Sequence, residues 1–190
     1  SLEKLGKAFD KFYFFPGNHD LYYKDKRDIH SVVFGKHVPG VTVVTEPQVI
    51  DDVALVPWLV GEEWKQVSKM KCKYMFGHFE LPNFKMNAMV EMPDTGEIKA
   101  DDFANQEMVF TGHFHKRQQR KNIYYIGNAF PHNYADAWDD ERGMMVLEWG
   151  SEPEFIDWPD CPKYRTIPLS RLLDKTEEIL DTTNLYIRVT

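Results

Sequence analysis

Three passages decide how this chain is read: Phe14-Phe15-Pro16-Gly17-Asn18-His19-Asp20, Tyr74-Met75-Phe76-Gly77-His78 and Val109-Phe110-Thr111-Gly112-His113-Phe114-His115. In each, an apolar strand-like run enters a glycine, and the next residues carry amide, imidazole or carboxylate groups. Sites in open α/β sheets lie beyond the carboxyl ends of the strands. Three strands that release such groups at one end bring them to one pocket. The glycines would let the backbone turn sharply and pass close to a metal or a phosphate. Singly, each passage has a plainer reading. A lone His78 after a glycine is more often structural than a ligand. Pro16-Gly17-Asn18 is good turn chemistry. His113 and His115, two apart on extended chain, point the same way and suit one metal or an adjacent pair. The other histidines, His30, His37 and His132, have no such context and read as bland.

Outward from these passages, short β-rich runs alternate with helical segments. Strands are expected at 11–15, 41–44, 48–50, 53–56, 73–76, 107–111, 122–126 and 185–189. Residues 144–149 and 153–158 form a hairpin pattern across Gly150-Ser151. Helices are expected at 2–9, 24–36, 62–71, 100–105 and 170–180. The pattern predicts a layered α/β fold with at least one mixed sheet. A boundary near the prolines at 159 and 162 would divide it into residues 1–160 and 161–190. The chain opens without Met in a helix-like stretch and ends inside a strand-like run, so both ends read as cut.

Composition narrows the class. With 43% hydrophobic and 14% aromatic residues over 190 positions, the chain can bury a sizeable core, which excludes a disordered protein. The longest apolar runs, such as 53–60, fall far short of the ~20 residues of a spanning helix, so no membrane role is expected. Cys72 and Cys161 cannot build a disulfide framework, no N-glycosylation sequon occurs and no charged-then-apolar leader is visible; a cytoplasmic setting is the default. The net charge of −7 argues against nucleic-acid binding by bulk charge alone. The charge is uneven, however. Residues 133–160 hold nine acids and one base, Arg142, and read as a solvated loop. Lys116, Arg117, Arg120 and Lys121 place four bases in six residues directly after His115.

Taken together, G-N-H-D at 17–20, G-H at 77–78 and G-H-x-H at 112–115 resemble the calcineurin-like metallophosphoesterases. The surrounding residues resemble a narrower group, the nuclease subunit of the SbcCD type and its T-even-like phage counterparts. Those residues are Leu55-Val56-Pro57-Trp58, Gly77-His78-Phe79-Glu80-Leu81, Tyr124-Tyr125-Ile126-Gly127-Asn128 and Arg142-Gly143 before an apolar strand. The resemblance runs from about residue 12 to residue 190.

That resemblance implies an α-β-β-α sandwich, with 161–190 beginning a capping domain that helps position DNA. It implies Asn18, His78 and His113 as ligands of one divalent metal and His115 as a ligand of a second. Mn²⁺ is favoured, with Mg²⁺, Fe²⁺ and Zn²⁺ compatible. It implies His19 as the catalytic histidine at the phosphate, with Asp20 orienting it. Two metals of this kind activate water and clamp phosphate oxygens. DNA and a large SMC-like ATPase are the implied partners, with a possible homodimer, acting in recombination and repair in a phage host's cytoplasm. Lys116, Arg117, Arg120 and Lys121 would contact the DNA backbone. The family pattern also carries D-x-H and G-D-x-x-D, which supply the metal-bridging Asp, and neither precedes Gly17 here. These residues alone are therefore expected to bind metal poorly and not to turn over. Rival readings are a phosphoprotein or small-nucleotide phosphatase, a catalytically silent scaffold, and a structural zinc site. Asn is a poor structural zinc ligand and no Cys accompanies the histidines, which counts against the last.

Overall fold

A computed structural model of the chain describes residues 1–86, 90–180 and 183–190, with Leu180 described by its backbone alone. The chain is α/β, with one mixed six-stranded sheet, four two-stranded sheets and short helices among the described residues. It divides into two units. The first comprises residues 1–83, 92–113 and 119–124, and the second 84–91, 114–118 and 125–190.

The first unit opens with helix α1 (Leu2–Ala8) and strand β1 (Phe12–Phe14). A hairpin follows, β2 (Leu21–Tyr23) against β3 (Lys26–His30), and then a 3₁₀ turn at Ser31–His37. The helix expected over 24–36 is therefore absent. Its first half is strand because Arg27 must reach inward. Nε donates to the Thr45 carbonyl and Nη1 to the Trp58 carbonyl, each at 2.6 Å, and the guanidinium forks onto Glu63. A side chain 7% exposed with that partner set outweighs local propensity.

Strand β4 (Val41–Val43) pairs in parallel with β1. Then come β5 (Gln48–Ile50) and β6 (Val53–Val56), antiparallel and joined by Asp51 and Asp52, both at positive φ. Helix α2 (Trp64–Val67) is shorter than the expected 62–71. Its flanks close i→i−3 bonds, as in Lys69 N to Gln66 O, so only one turn is α-helical. Residues 100–105 contain a 3₁₀ turn, Ala100–Phe103.

Strands β7 (Tyr74–His78) and β8 (Met108–Gly112) lie side by side and parallel, with β6 on the other side of β7. Strands β9 (Gln118–Arg120) and β10 (Ile123–Tyr125) complete the order β5-β6-β7-β8-β10-β9. Both faces of the central strands are covered: Ala54, Met75 and Val109 are wholly buried on one, and Leu55 and Phe110 are buried on the other. Phe76 stacks on Phe110 at 5.1 Å and Phe79 packs on Phe103 at 5.0 Å.

The second unit has its own small core, in which Phe84 and Phe114 each lie 4.8 Å from the Tyr125 ring. The expected hairpin is present as β11 (Gly143–Val146) against β12 (Glu154–Asp157). A parallel pair, β13 (Lys163–Ile167) and β14 (Leu185–Val189), flanks α3 (Leu169–Asp174) and α4 (Thr176–Leu180). The single helix expected at 170–180 is broken at Lys175, whose backbone leaves the helical region. Cys72 and Cys161 are buried and free. Among the described residues no helix is long and apolar enough to cross a membrane.

Candidate metal centre

Within the first unit, three separate strand ends bring polar groups together. β7 ends at His78, which is in register with Gly112 at the end of β8, so His78 and His113 leave neighbouring parallel strands at the same edge. β1 belongs to another sheet, but the chain following it is held at this edge by Trp58 N, which donates to the Pro16 carbonyl at 3.0 Å. Asn18 then sits in the 3₁₀ turn Asn18–Asp20. Its Oδ1 lies 2.9 Å from His78 Nε2 and 3.2 Å from His113 Nδ1. Glu80 Oε1 stands 3.5 Å from the other nitrogen of His113, Nε2. Trp58 closes one side, its ring 5.3 Å from that of His113 and 6.0 Å from that of His78.

All three glycines serve a different purpose from the one expected. Gly17 is not in a left-handed conformation; its φ is −86°. A Cβ at Gly17 would stand 2.8 Å from His78 Cε1, and one at Gly112 would stand 3.0 Å from His78 Nδ1. Both glycines therefore make room for the His78 ring. Gly77 does the same for Phe79, whose ring lies 2.4 Å from where a Cβ would be. The strain lies instead at His113, a non-glycine residue at φ 89°. Such conformations cost ~1–3 kcal/mol and persist where the surroundings impose them.

Burial pushes the His78 imidazole down to about 4; the neighbouring His113 adds to this, the Asp20 carboxylate opposes it, and His19 lowers it further. At neutral pH His78 is thus an uncharged imidazole with a lone pair to offer. His19 is exposed at this edge. Asp20, expected to orient His19, does something else. One oxygen accepts from Gly17 N at 2.8 Å and the other from the Ser31 hydroxyl at 2.7 Å. The carboxylate is consumed in holding the 3₁₀ turn to the start of the next one, so it acts on the shape of the Asn18 loop and, through its field, on His78.

The donor set fits a divalent cation in kind. Donors about 2.1 Å from a common ion and at right angles to one another lie about 3.0 Å apart, against the observed 2.9 and 3.2 Å. In number it is incomplete. Among the described residues no three His, Cys, Asp or Glu side chains converge as a metal-holding group. The convergent set is two imidazoles and one amide.

His115 belongs to the second unit. Its Nδ1 lies 3.3 Å from Asp136 Oδ1, and its carbonyl accepts from Arg142 Nη1 at 2.7 Å and from Asn128 N at 3.1 Å. The His132 ring crosses it at 5.0 Å. Nor is the acidic run wholly a solvated loop. Asp136 is 7% and Arg142 1% exposed. Burial pushes the Asp139 carboxyl up, while Arg142 and then Lys116 pull it back.

The basic run is not four equivalent free cations. Lys116 and Arg117 fall in the second unit and Arg120 and Lys121 in the first. Arg117 Nη1 donates to Asp157 at 2.8 Å, and the guanidinium lies 4.3 Å from the Phe155 ring centre. Its side chain is 13% exposed, so it holds β12 rather than facing solvent. Lys121 pairs with Asp101 at 2.6 Å with both partners open to water. Water and salt screen such an open pair, so that cation remains exchangeable.

The sequence reading missed the parts played by Glu80, Trp58, Asp136 and Arg142. Glu80 was within reach of it, since it stands two residues beyond His78 on extended chain. The other three depend on contacts that no local pattern announces.

Over 151 residues the chain is 27% identical to "Exonuclease subunit 1" of Enterobacteria phage T4, an alignment covering 74% of this chain and 43% of that protein. The chain thus spans less than half the length of the curated relative it matches. No family model matches it.

Proposed function

We propose that this chain is part of a metal-dependent phosphodiesterase that cleaves DNA, an exonuclease or endonuclease subunit of the metallophosphoesterase type. One observation carries the reading: Asn18 Oδ1 lies within 3.2 Å of both His78 Nε2 and His113 Nδ1, although the three residues come from three strand ends. Likeness to a phage exonuclease subunit supports the choice of DNA over a phosphoprotein or a small nucleotide.

In this reading Asn18, His78 and His113 hold one divalent ion and His115 a second, with Mn²⁺ favoured. When bound, two such ions supply a nucleophilic oxygen and neutralise the phosphate. The chain's own residues do the rest. Gly17 and Gly112 seat the His78 ring, and Trp58 fixes His113 from the side. Exposed His19 gives a proton to the oxygen that leaves phosphorus, as a bond from water oxygen to phosphorus forms and the ester P–O bond breaks. Lys116, Arg120 and Lys121 would contact DNA phosphates. Residues 161–190 begin a capping domain, and an SMC-like ATPase is the partner subunit. The bridging Asp is not among these residues, so the chain alone binds metal weakly and does not turn over.

The test is Mn²⁺-dependent digestion of linear duplex DNA by the full-length protein that contains these residues. His78→Ala and His113→Ala should each abolish it. His19→Ala should leave Mn²⁺ binding nearly unchanged and slow hydrolysis by at least ~10²-fold. Undiminished digestion in the His78→Ala protein would refute the reading.

A further inference from the structure

His115 is anchored within the second unit through both its backbone and its ring. Its carbonyl takes two hydrogen bonds, from Arg142 and Asn128. Its ring presents Nδ1 to Asp136 Oδ1. Asp136 is itself constrained. Its Oδ2 accepts from His132 N at 2.8 Å, and Arg142 Nη2 stands 3.6 Å from its Oδ1. The residue is placed there by a short turn, in which the Asn133 side chain accepts from Ala135 N. Arg142 is the common element. One buried guanidinium touches the His115 backbone, the Asp139 backbone and side chain, and the Asp136 carboxylate.

We infer that Asp136, fixed by Arg142, is a positioning residue that holds His115 as the Nδ1–H tautomer and leaves the Nε2 lone pair free for a divalent cation. A carboxylate facing one ring nitrogen accepts a hydrogen bond from the N–H there, which makes the opposite nitrogen the electron-pair donor. His115 is the partly open member of the pair and Asp136 the buried one, with side chains 39% and 6% exposed. The ring is therefore anchored from within the second unit and offers its far edge outward. A merely structural histidine needs neither a fixed tautomer nor a second buried charge behind its partner. The cation part rests on the proposed metal-dependent function; the tautomer part does not.

The experiment is a long-range ¹H–¹⁵N correlation of the histidine rings in the metal-free full-length protein that contains these residues, with His115 assigned by its loss in His115→Gln. The wild type should show His115 protonated at Nδ1. Asp136→Asn should invert it. The amide oxygen stays on His132 N, and the amide NH₂ then faces Nδ1 as a donor and forces the proton to Nε2. Arg142→Lys, which cannot span His115 and Asp139 together, should give a mixture of tautomers. Added Mn²⁺ should broaden the His115 ring signals of the wild type at about tenfold lower concentration than those of Asp136→Asn. A wild-type His115 protonated at Nε2 overturns the positioning role whatever the variants do. The correct tautomer with no Mn²⁺ broadening at His115 overturns the cation, and with it the second metal of the proposed function, while leaving the role of Asp136 in place.

Discussion

Replacing Gly17 by Ala tests whether the glycine exists to seat the His78 ring. The backbone there, at φ −86°, suits alanine. Loss of unfolded-state freedom alone would therefore stabilise the variant by about 0.4–1 kcal/mol. Against this, the new methyl would sit 2.8 Å from His78 Cε1 and 3.0 Å from both ring nitrogens, where ordinary contact begins at 3.4 Å. The ring has to retreat by about 0.6 Å, and overpacking of this kind costs about 1–3 kcal/mol. The net expectation is destabilisation by about 1–2 kcal/mol. A retreat along the Asn18 direction would lengthen the 2.9 Å contact past hydrogen-bond range. Urea denaturation reads the first effect. The ring resonances of His78 and the Asn18 amide read the second. Gly112→Ala, with its closest approach at 3.0 Å, should behave alike but more mildly. A Gly17→Ala chain as stable as wild type, with unmoved His78 resonances, would refute the packing argument.

The remaining predictions concern pH, the Arg27 clamp and the strained histidine. Because His78 is held near 4, the folded chain binds fewer protons than the unfolded one between about pH 6.5 and 4. Its stability is complete above that window and falls as the medium is acidified through it. The loss is at most ~3 kcal/mol, and the difference between wild type and His78→Gln in urea titrations at several pH values should show it. A pH-independent difference would contradict the burial of that ring. Arg27→Ala removes the partner of Glu63 and the donor to two carbonyls, so a loss of about 3 kcal/mol is expected. The Trp58 loop should loosen with it, seen as a red-shifted tryptophan emission. His113→Gly should give back the ~1 kcal/mol or more of backbone strain at φ 89° while removing one donor of the cluster. Thermal unfolding should show less destabilisation for His113→Gly than for His113→Ala.

The strands that carry the site were legible because their apolar runs stop at glycines. β6, β7, β8 and β10 lie where short continuous apolar runs place them. The convergence of His78 and His113 follows once β7 and β8 are neighbours in parallel register. The hairpin of β11 and β12 was equally plain, since a turn dipeptide separates two apolar strands. These are local signals, set by side-chain period and turn chemistry within a few residues. The failures share a different cause. Residues 24–36 have helical composition, yet Arg27 is drawn into a partner set 18 to 36 residues away, and the backbone becomes a hairpin. Asp20 looked like the support of the adjacent imidazole but spends both oxygens on Gly17 and Ser31. Asp136 and Arg142 sit in the most acidic stretch and look solvated, yet both are buried around His115. By itself, then, the sequence determined which residue types could meet at one sheet edge, because strand ends and glycines are local properties. Only the tertiary structure decided which carboxylate serves which imidazole. A buried charge takes the partner that desolvation leaves it, not the neighbour that the sequence prints beside it.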